Sequence, residues 1–226
     1  MNTSFIFDLD GTIVITEQYH CEAFRNALKQ FGIKYNYDIH KKNYTGTGDK
    51  EIAISELKKH RLPLEYTDQV VKSKQKIYME IVKAKKIPLV KGIKEFLEKA
   101  KSLSIKLAVA TSTTKNNAKF LLEKTDLLKY FSAVFTVETV KRAKPDPQIF
   151  IYASKKLEVT PQETVIFEDS PRGIEAGERG GFTTVGITTT ASAKELLSKG
   201  ADFIAADYTQ IDINDILMLK NLRGMK

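Results

Sequence analysis

Two patterns of apolar and polar positions alternate along the chain from residue 91 onward. Short apolar runs predict buried strands, and apolar positions at three- and four-residue spacing predict amphipathic helices. The predicted strands are residues 106–110, 133–136, 164–167 and 183–187, and the predicted helices are residues 93–103, 116–124, 147–157 and 173–179. This alternation predicts an α/β fold, with helices on both faces of a parallel sheet.

The first ninety residues differ from the rest. An apolar run at residues 5–7 has the form of another buried strand, but residues 19–32, 50–59 and 68–85 show only helical spacing. We therefore predict two domains that are interleaved in sequence. Residues 1–15 and 88–226 form an α/β core domain, and residues 16–87 form an inserted helical domain.

Composition is consistent with a globular enzyme. The chain has 226 residues, of which 42% are hydrophobic. No segment approaches the roughly 18 consecutive apolar residues of a membrane span, and a core strand that begins by Ser4 leaves no room for a signal peptide. The single cysteine, Cys21, cannot form an intramolecular disulfide, so we expect a packed thiol in a reducing compartment. These features predict a cytoplasmic protein, which we expect to be a monomer without a membrane partner.

The formal net charge of +8 is concentrated in the insertion. Residues 16–87 contain 15 Lys and Arg against 9 Asp and Glu. A basic surface attracts small anions as well as nucleic acid. Five lysines of this segment lie at mixed helical phases, without aromatic residues that would stack on bases: Lys74, Lys76, Lys83, Lys85 and Lys86. We predict a solvated lysine-rich surface and no nucleic-acid partner.

The first predicted strand ends in two carboxylates. Asp8 and Asp10 are separated by one residue, so a strand places them on the same side. Ligands of open α/β sheets bind at the carboxyl ends of the strands, and Gly11 allows the chain to turn sharply away. Taken alone, the Asp-x-Asp triplet fits turn chemistry equally well.

Three later segments repeat this form, with a short apolar run before reactive residues. These residues are Thr111-Ser112, Lys144-Pro145 and Glu168-Asp169. With its four motifs in this order, the sequence resembles hydrolases of the haloacid dehalogenase superfamily, in the branch of β-phosphoglucomutase-like and phosphatase-like enzymes. The resemblance extends from residue 4 to about residue 185. It implies a Rossmann-like core and a helical cap, residues 16–87, that opens and closes over the active site.

The acids suit phosphoryl transfer. A carboxylate nucleophile can form an acyl-phosphate, which divides one difficult step into two easier ones. We predict that Asp8 is this nucleophile and that Asp10 protonates the leaving group and then deprotonates water. Neighbouring negative charges would raise the pKa of Asp10 enough for that role.

The same acids form an oxygen-rich set that suits Mg²⁺. This ion takes one or two carboxylates together with waters and phosphate oxygens. The resemblance implies that Asp8 and Asp169 are direct ligands, that Asp10 contributes its backbone carbonyl, and that Glu168 acts directly or through water.

The remaining motif residues would neutralise the phosphate. Lys144 supplies a second cation, and Pro145 disfavours helical backbone at Lys144, which leaves an extended segment. Thr111 supplies a hydroxyl donor, assisted by the backbone of Ser112 and by the helix N-terminus beyond it. A plain helix-capping role for Thr111 is compatible with this one.

Candidates in the insertion are weaker. Related enzymes sometimes use a histidine at the position of His20 to orient the equivalent of Asp10, although a lone histidine is usually structural. The loop with Thr45 and Gly46 resembles the substrate-facing loop of the cap. In sugar phosphomutases this loop carries a cation for a second phosphate, whereas here Asp49 and Thr45 occupy those positions and Lys50 follows.

We therefore predict a Mg²⁺-dependent phosphomonoester hydrolase of small phosphorylated metabolites. The alternatives are a sugar phosphomutase with the same nucleophile, and a ligand-binding member of the fold without turnover. Lys50 leaves open a Schiff-base reaction of the phosphonate-cleaving type. A dehalogenase is disfavoured because the chain retains Asp10, which haloacid substrates do not need.

Overall fold

The computed structural model describes residues 2–44 and 46–223 of the chain. It divides the chain into two compact units, with boundaries after Ile15 and after Ile87. One unit contains residues 16–87, and the other combines the first fifteen residues with the part of the chain that begins at Pro88. The assignment of these residues to a core domain and a cap domain stays a prediction.

The inserted unit is helical in its described residues. Its helices are α1 (Glu17–Lys29), α2 (Tyr37–Tyr44), α3 (Asp49–Lys59) and α4 (Thr67–Ala84). Helix α1 packs on α4 around an apolar core that includes Phe24, Leu28 and Val70. Cys21 is buried in the same core, as its sequence context predicts.

The other unit is built on a parallel sheet. Its described strands are β1 (Ser4–Phe7), β2 (Lys106–Ala110), β3 (Ala133–Phe135), β4 (Thr164–Glu168), β5 (Thr183–Ile187) and β6 (Phe203–Ala205). They lie in the order β3-β2-β1-β4-β5-β6, and each neighbouring pair is parallel. The predicted α/β fold with a Rossmann-like sheet is confirmed.

Helices follow the strands of this unit. They are α5 (Ile93–Ser102), α6 (Lys115–Lys124), α7 (Gln148–Lys156), α8 (Pro171–Arg179), α9 (Ala193–Ser198) and α10 (Ile213–Arg223). No helix in residues 2–44 or 46–223 is both long enough and apolar enough to cross a membrane.

Strand β1 lies at the centre of the sheet and is buried on both faces. The rings of Phe7 and Phe167 stack at 4.6 Å on one face, where Phe96 also packs. On the other face, Ile6 and Ile166 belong to a second apolar cluster. A strand that is buried on both faces has a continuous apolar sequence, which explains why residues 5–7 show no alternation. Asp8 is thereby brought to the central carboxyl edge of the sheet.

One lysine of the insertion contradicts the expected solvated surface. Lys74 on α4 is only 1% exposed. Its Nζ donates to Asp49 Oδ1 at 2.7 Å, lies 2.8 Å from His20 Nδ1, and also lies over the Tyr78 ring. The prediction of a solvated side chain is wrong for Lys74, because Asp49 and the aromatic ring replace the water that the ammonium group would otherwise need.

Candidate active site

Asp8 follows β1 directly and is buried at the carboxyl edge of the sheet. Its backbone N–H donates to the carbonyl of Phe167 at 2.9 Å, which continues the β1–β4 pairing by one residue. Because Phe7 pairs with Phe167 in register, Asp8 and Glu168 are the next residues on neighbouring strands. The pairing of these two strands therefore brings two acidic side chains together.

Lys144 joins these two acids. Its Nζ donates to Asp8 Oδ1 at 2.6 Å, to Glu168 Oε1 at 2.7 Å and to the carbonyl of Ala110 at 3.0 Å. The side chain is 4% exposed, and its Nζ lies 4.8 Å from the centre of the Phe150 ring. Charge-assisted hydrogen bonds of this kind offset the cost of burying an ammonium group. The carboxyl ends of β1, β2 and β4 thus meet at one lysine.

The loop of Lys144 is held from α8. Arg172 donates to the carbonyl of Lys144 through Nη2 at 2.6 Å and through Nε at 3.1 Å. The sequence predicted the inward-directed lysine but not Arg172, because an arginine in the first turn of a helix carries no signal of this contact. The two bonds fix the backbone from which the ammonium group reaches Asp8.

Burial is the largest influence on the pKa values of Asp8 and Lys144. It raises the pKa of Asp8 to about 7, with the charge of Lys144 opposing the shift and that of Glu168 adding to it. Burial alone would lower the pKa of Lys144, but the charges of Asp8 and Glu168 outweigh it and raise that pKa above its usual range. The lysine therefore stays charged, and any added cation would favour the carboxylate form of Asp8.

Glu168 is engaged through both of its oxygens. Oε1 accepts from Lys144, and Oε2 accepts from the backbone N–H of Asp169 at 3.1 Å, and from the backbone N–H and hydroxyl of Ser170 at 3.0 and 2.9 Å. Gly173 makes room for this carboxylate, since a Cβ there would lie 1.8 Å from Glu168 Cδ. These contacts make Glu168 an anchor for Lys144 and for the turn into α8, and a direct role toward a metal stays a prediction.

Asp169 is held by two threonines from separate loops. Thr12 Oγ1 donates to Asp169 Oδ1 at 3.2 Å, and Thr190 Oγ1 donates to Asp169 Oδ2. Gly11 has a φ of +84°, and a Cβ at that position would lie 2.0 Å from Asp169 Oδ2. Glycine is thus needed both for the turn and for the close approach of the carboxylate. No pattern in the sequence indicates Thr190, because threonine is common in turns.

The remaining predicted core residues lie at the same edge. Asp10 is half-buried and pairs with Val14 in an isolated bridge. Thr111 is buried, and its Oγ1 accepts from the backbone N–H of Thr113 at 3.1 Å, which leaves the hydroxyl proton for another oxygen. Ser112 is half-buried. The residue at the N-cap position of α6 is Thr114, so a capping role for Thr111 is not observed.

The other candidates belong to the inserted unit. His20 is half-buried, and its ring stacks on Tyr78 at 4.1 Å while its Nδ1 faces Lys74. Gly46 is exposed with a φ of +70°, and Lys50 is exposed in the first turn of α3. Thr45 lies outside the described residues. Roles of His20, Gly46 and Lys50 toward a substrate stay predictions.

The carboxylate oxygens of Asp8 and Asp169 are the kind of donor that a magnesium ion prefers. Residues 2–44 and 46–223 contain no group of three or more His, Cys, Asp or Glu arranged as a metal cluster, but Mg²⁺ needs only one or two carboxylates. Asp8 and Asp169 are buried oxygen donors that follow neighbouring strands. Their charges, with that of Glu168, reinforce the effect of burial in raising the pKa of the Tyr208 hydroxyl. In the described structure this buried hydroxyl has no hydrogen-bond partner. The residues present therefore suit an oxygen-coordinated cation.

The close packing of Gly173 on Glu168 yields a stability prediction. Gly173→Ala places a methyl group where the Glu168 carboxylate lies, and overpacking of this kind costs about 1–3 kcal/mol. We expect a lower free energy of unfolding and a loss of turnover, measured by denaturant titration and by phosphate release.

Gly48→Ala is the matched control. A Cβ at Gly48 meets nothing within 4 Å, and its φ of −68° suits alanine. Equal stability of the Gly173→Ala variant and the unsubstituted protein would contradict the packing argument.

The chain is similar to proteins of one family. A family model described as haloacid dehalogenase-like hydrolase matches residues 5–187. The phosphorylated carbohydrates phosphatase of Thermotoga maritima is 34% identical over 201 residues, which cover 87% of this chain and 90% of that protein. The beta-phosphoglucomutase of Bacillus subtilis is 31% identical over 187 residues, covering 80% and 81% of the two chains. A crystal structure of beta-phosphoglucomutase from Clostridium difficile superimposes with a TM-score of 0.88 at 25% identity, over 100% of both chains.

Proposed function

Since this chain belongs to the haloacid dehalogenase-like hydrolases, we propose that it is a Mg²⁺-dependent phosphatase of phosphorylated sugars, with Asp8 as its nucleophile. The observation that carries the proposal is the buried contact of Lys144 with Asp8 and Glu168. A fixed cation beside a buried carboxylate reduces the repulsion that this carboxylate meets when it approaches an anionic phosphate. The name of the Thermotoga maritima relative supports the substrate class.

In the first step, an Asp8 oxygen attacks the phosphorus atom and the bond to the sugar oxygen breaks. Asp10 gives its proton to the departing oxygen and then takes a proton from the water that attacks the acyl-phosphate. Hydrolysis returns Asp8 as a carboxylate and releases inorganic phosphate. Both acids thus end the cycle in their starting forms.

The neighbouring residues stabilise charge. Lys144 stays beside Asp8 and neutralises the transferring group, while the Thr111 hydroxyl and the Ser112 backbone donate to its oxygens. Asp8 and Asp169, with the backbone carbonyl of Asp10, would hold Mg²⁺. When bound, the ion supplies positive charge that favours the carboxylate form of Asp8 and neutralises the substrate.

We propose that residues 16–87 are the substrate-selecting cap of this enzyme. His20, Gly46 and Lys50 are its candidate residues in the described structure. The contacts within this unit favour a phosphatase over a mutase. Asp49 brings a negative charge to a position where sugar phosphomutases carry a cation, and it already binds the buried Lys74. A bisphosphate intermediate would need a free cation for its distal phosphate.

The nucleophile is tested by Asp8→Asn. We expect the rate of phosphate release to fall by roughly 10⁴-fold. A loss of this size is typical when one residue of a cooperating catalytic group is removed. The fold should persist because Lys144 keeps Glu168 as its charge partner.

Asp126→Asn is the matched control, because this aspartate is exposed and pairs with the exposed Lys129, which is not a residue of the site. Its φ of 58° also suits asparagine. The control should retain full turnover, and an Asp8→Asn variant with more than a tenth of the original rate would refute the assignment.

Product analysis separates the phosphatase from the mutase. With a sugar 1-phosphate and a bisphosphate activator, we expect inorganic phosphate to appear without isomerised sugar phosphate, as followed by phosphorus NMR. Faster appearance of the sugar 6-phosphate than of inorganic phosphate would establish the mutase instead.

A further inference from the structure

We infer that Thr190 is a positioning residue, which fixes the carboxylate of Asp169 for the divalent cation. The inference rests on the proposed function, because the role of Asp169 as a metal ligand belongs to that proposal. It concerns a residue after β5 that lies outside the four motifs.

The Asp169 carboxylate is constrained through both of its oxygens. Thr190 Oγ1 donates to Oδ2, and Thr12 Oγ1 donates to Oδ1 at 3.2 Å. Gly11 approaches so closely that a Cβ there would meet Oδ2 at 2.0 Å. Asp169 itself is 4% exposed. Because donors from two separate loops contact different oxygens, rotation of the carboxylate would break at least one of these bonds.

The segment that carries Thr190 is tied to both motif loops. Thr189 Oγ1 donates to the carbonyl of Gly11 at 2.5 Å, and the backbone N–H of Ala191 donates to the carbonyl of Asp169 at 3.3 Å. Thr190 lies between these two anchors and is buried. Its hydroxyl is therefore presented from a backbone that is fixed on either side.

The chemistry of the contact suits a supporting role. A carboxylate oxygen has more than one lone pair, so Oδ2 can accept from Thr190 while the carboxylate keeps lone pairs for a cation. Groups that hold a metal ligand in place commonly contribute about 10- to 100-fold to metal affinity. We thus expect Thr190→Val, which keeps the side-chain shape and removes the donor, to weaken Mg²⁺ binding about 10-fold or more.

The test compares Mg²⁺ affinity by isothermal titration calorimetry on the complete chain. The variants are Thr190→Val and Thr190→Ser, which remove and retain the hydroxyl. Thr190→Ala is a second hydroxyl-free variant if the valine form does not fold. The matched control is Thr184→Val at the start of β5, where a buried Thr184 Oγ1 lies 3.2 Å from the carboxylate of Asp202. Circular dichroism checks the fold of each variant without metal.

The inference is supported if hydroxyl-free variants lose about 10-fold or more in affinity, while Thr190→Ser and Thr184→Val bind as the unsubstituted protein does. It is overturned if a folded hydroxyl-free variant binds Mg²⁺ with unchanged affinity, if Thr190→Ser is equally impaired, or if Thr184→Val loses as much. An unsubstituted protein that binds no Mg²⁺ would overturn the metal dependence in the proposed function, and this inference with it. Failure of the inference alone is recognised when the unsubstituted protein binds Mg²⁺ and the variants give any of these three overturning results.

Discussion

The buried ammonium group of Lys144 is the interaction on which the candidate site depends. Asp8 and Glu168 are brought together by the pairing of β1 with β4, and two buried carboxylates would repel each other without a cation between them. Lys144 supplies that cation, and its Nζ donates to both carboxylates and to the carbonyl of Ala110. Removal of one partner from a buried ion pair costs about 3–5 kcal/mol. The same contact therefore supports both the local fold and the charge balance of the proposed chemistry.

Parallel strand order explains how distant residues meet. Asp8 and Thr111 directly follow β1 and β2, and Glu168 is the last residue of β4. These strands are neighbours in the sheet, so their carboxyl ends share one edge. Two glycines allow the chain to pack closely at this edge, with Gly11 beside Asp169 and Gly173 beside Glu168. The acids are therefore placed by backbone geometry. Lys144 then orients Asp8, and hydroxyl and amide donors help to orient Glu168 and Asp169.

Much of this arrangement could be predicted from the sequence. The family and the α/β fold are confirmed, because four motifs at strand ends constrain one another. Helix α2, helix α9, strand β6 and helix α10 were not predicted. Strand β6 has only three residues, too few for a periodic pattern. The sequence predicts a solvated Lys74 because it does not reveal Asp49 as the partner of this lysine. It does not indicate Thr190 either, because the contact of Thr190 with Asp169 spans 21 residues.

In the proposed mechanism, Asp8 carries the phosphoryl group during turnover. Rapid acid quench of the enzyme with a labelled sugar phosphate, followed by proteolysis and mass spectrometry, tests it directly. The account predicts one phosphoryl group on Asp8, in a linkage that is labile to hydroxylamine and absent from the Asp8→Asn variant. A label on another residue, or a burst of dephosphorylated sugar that leaves no phosphorylated peptide, would contradict it.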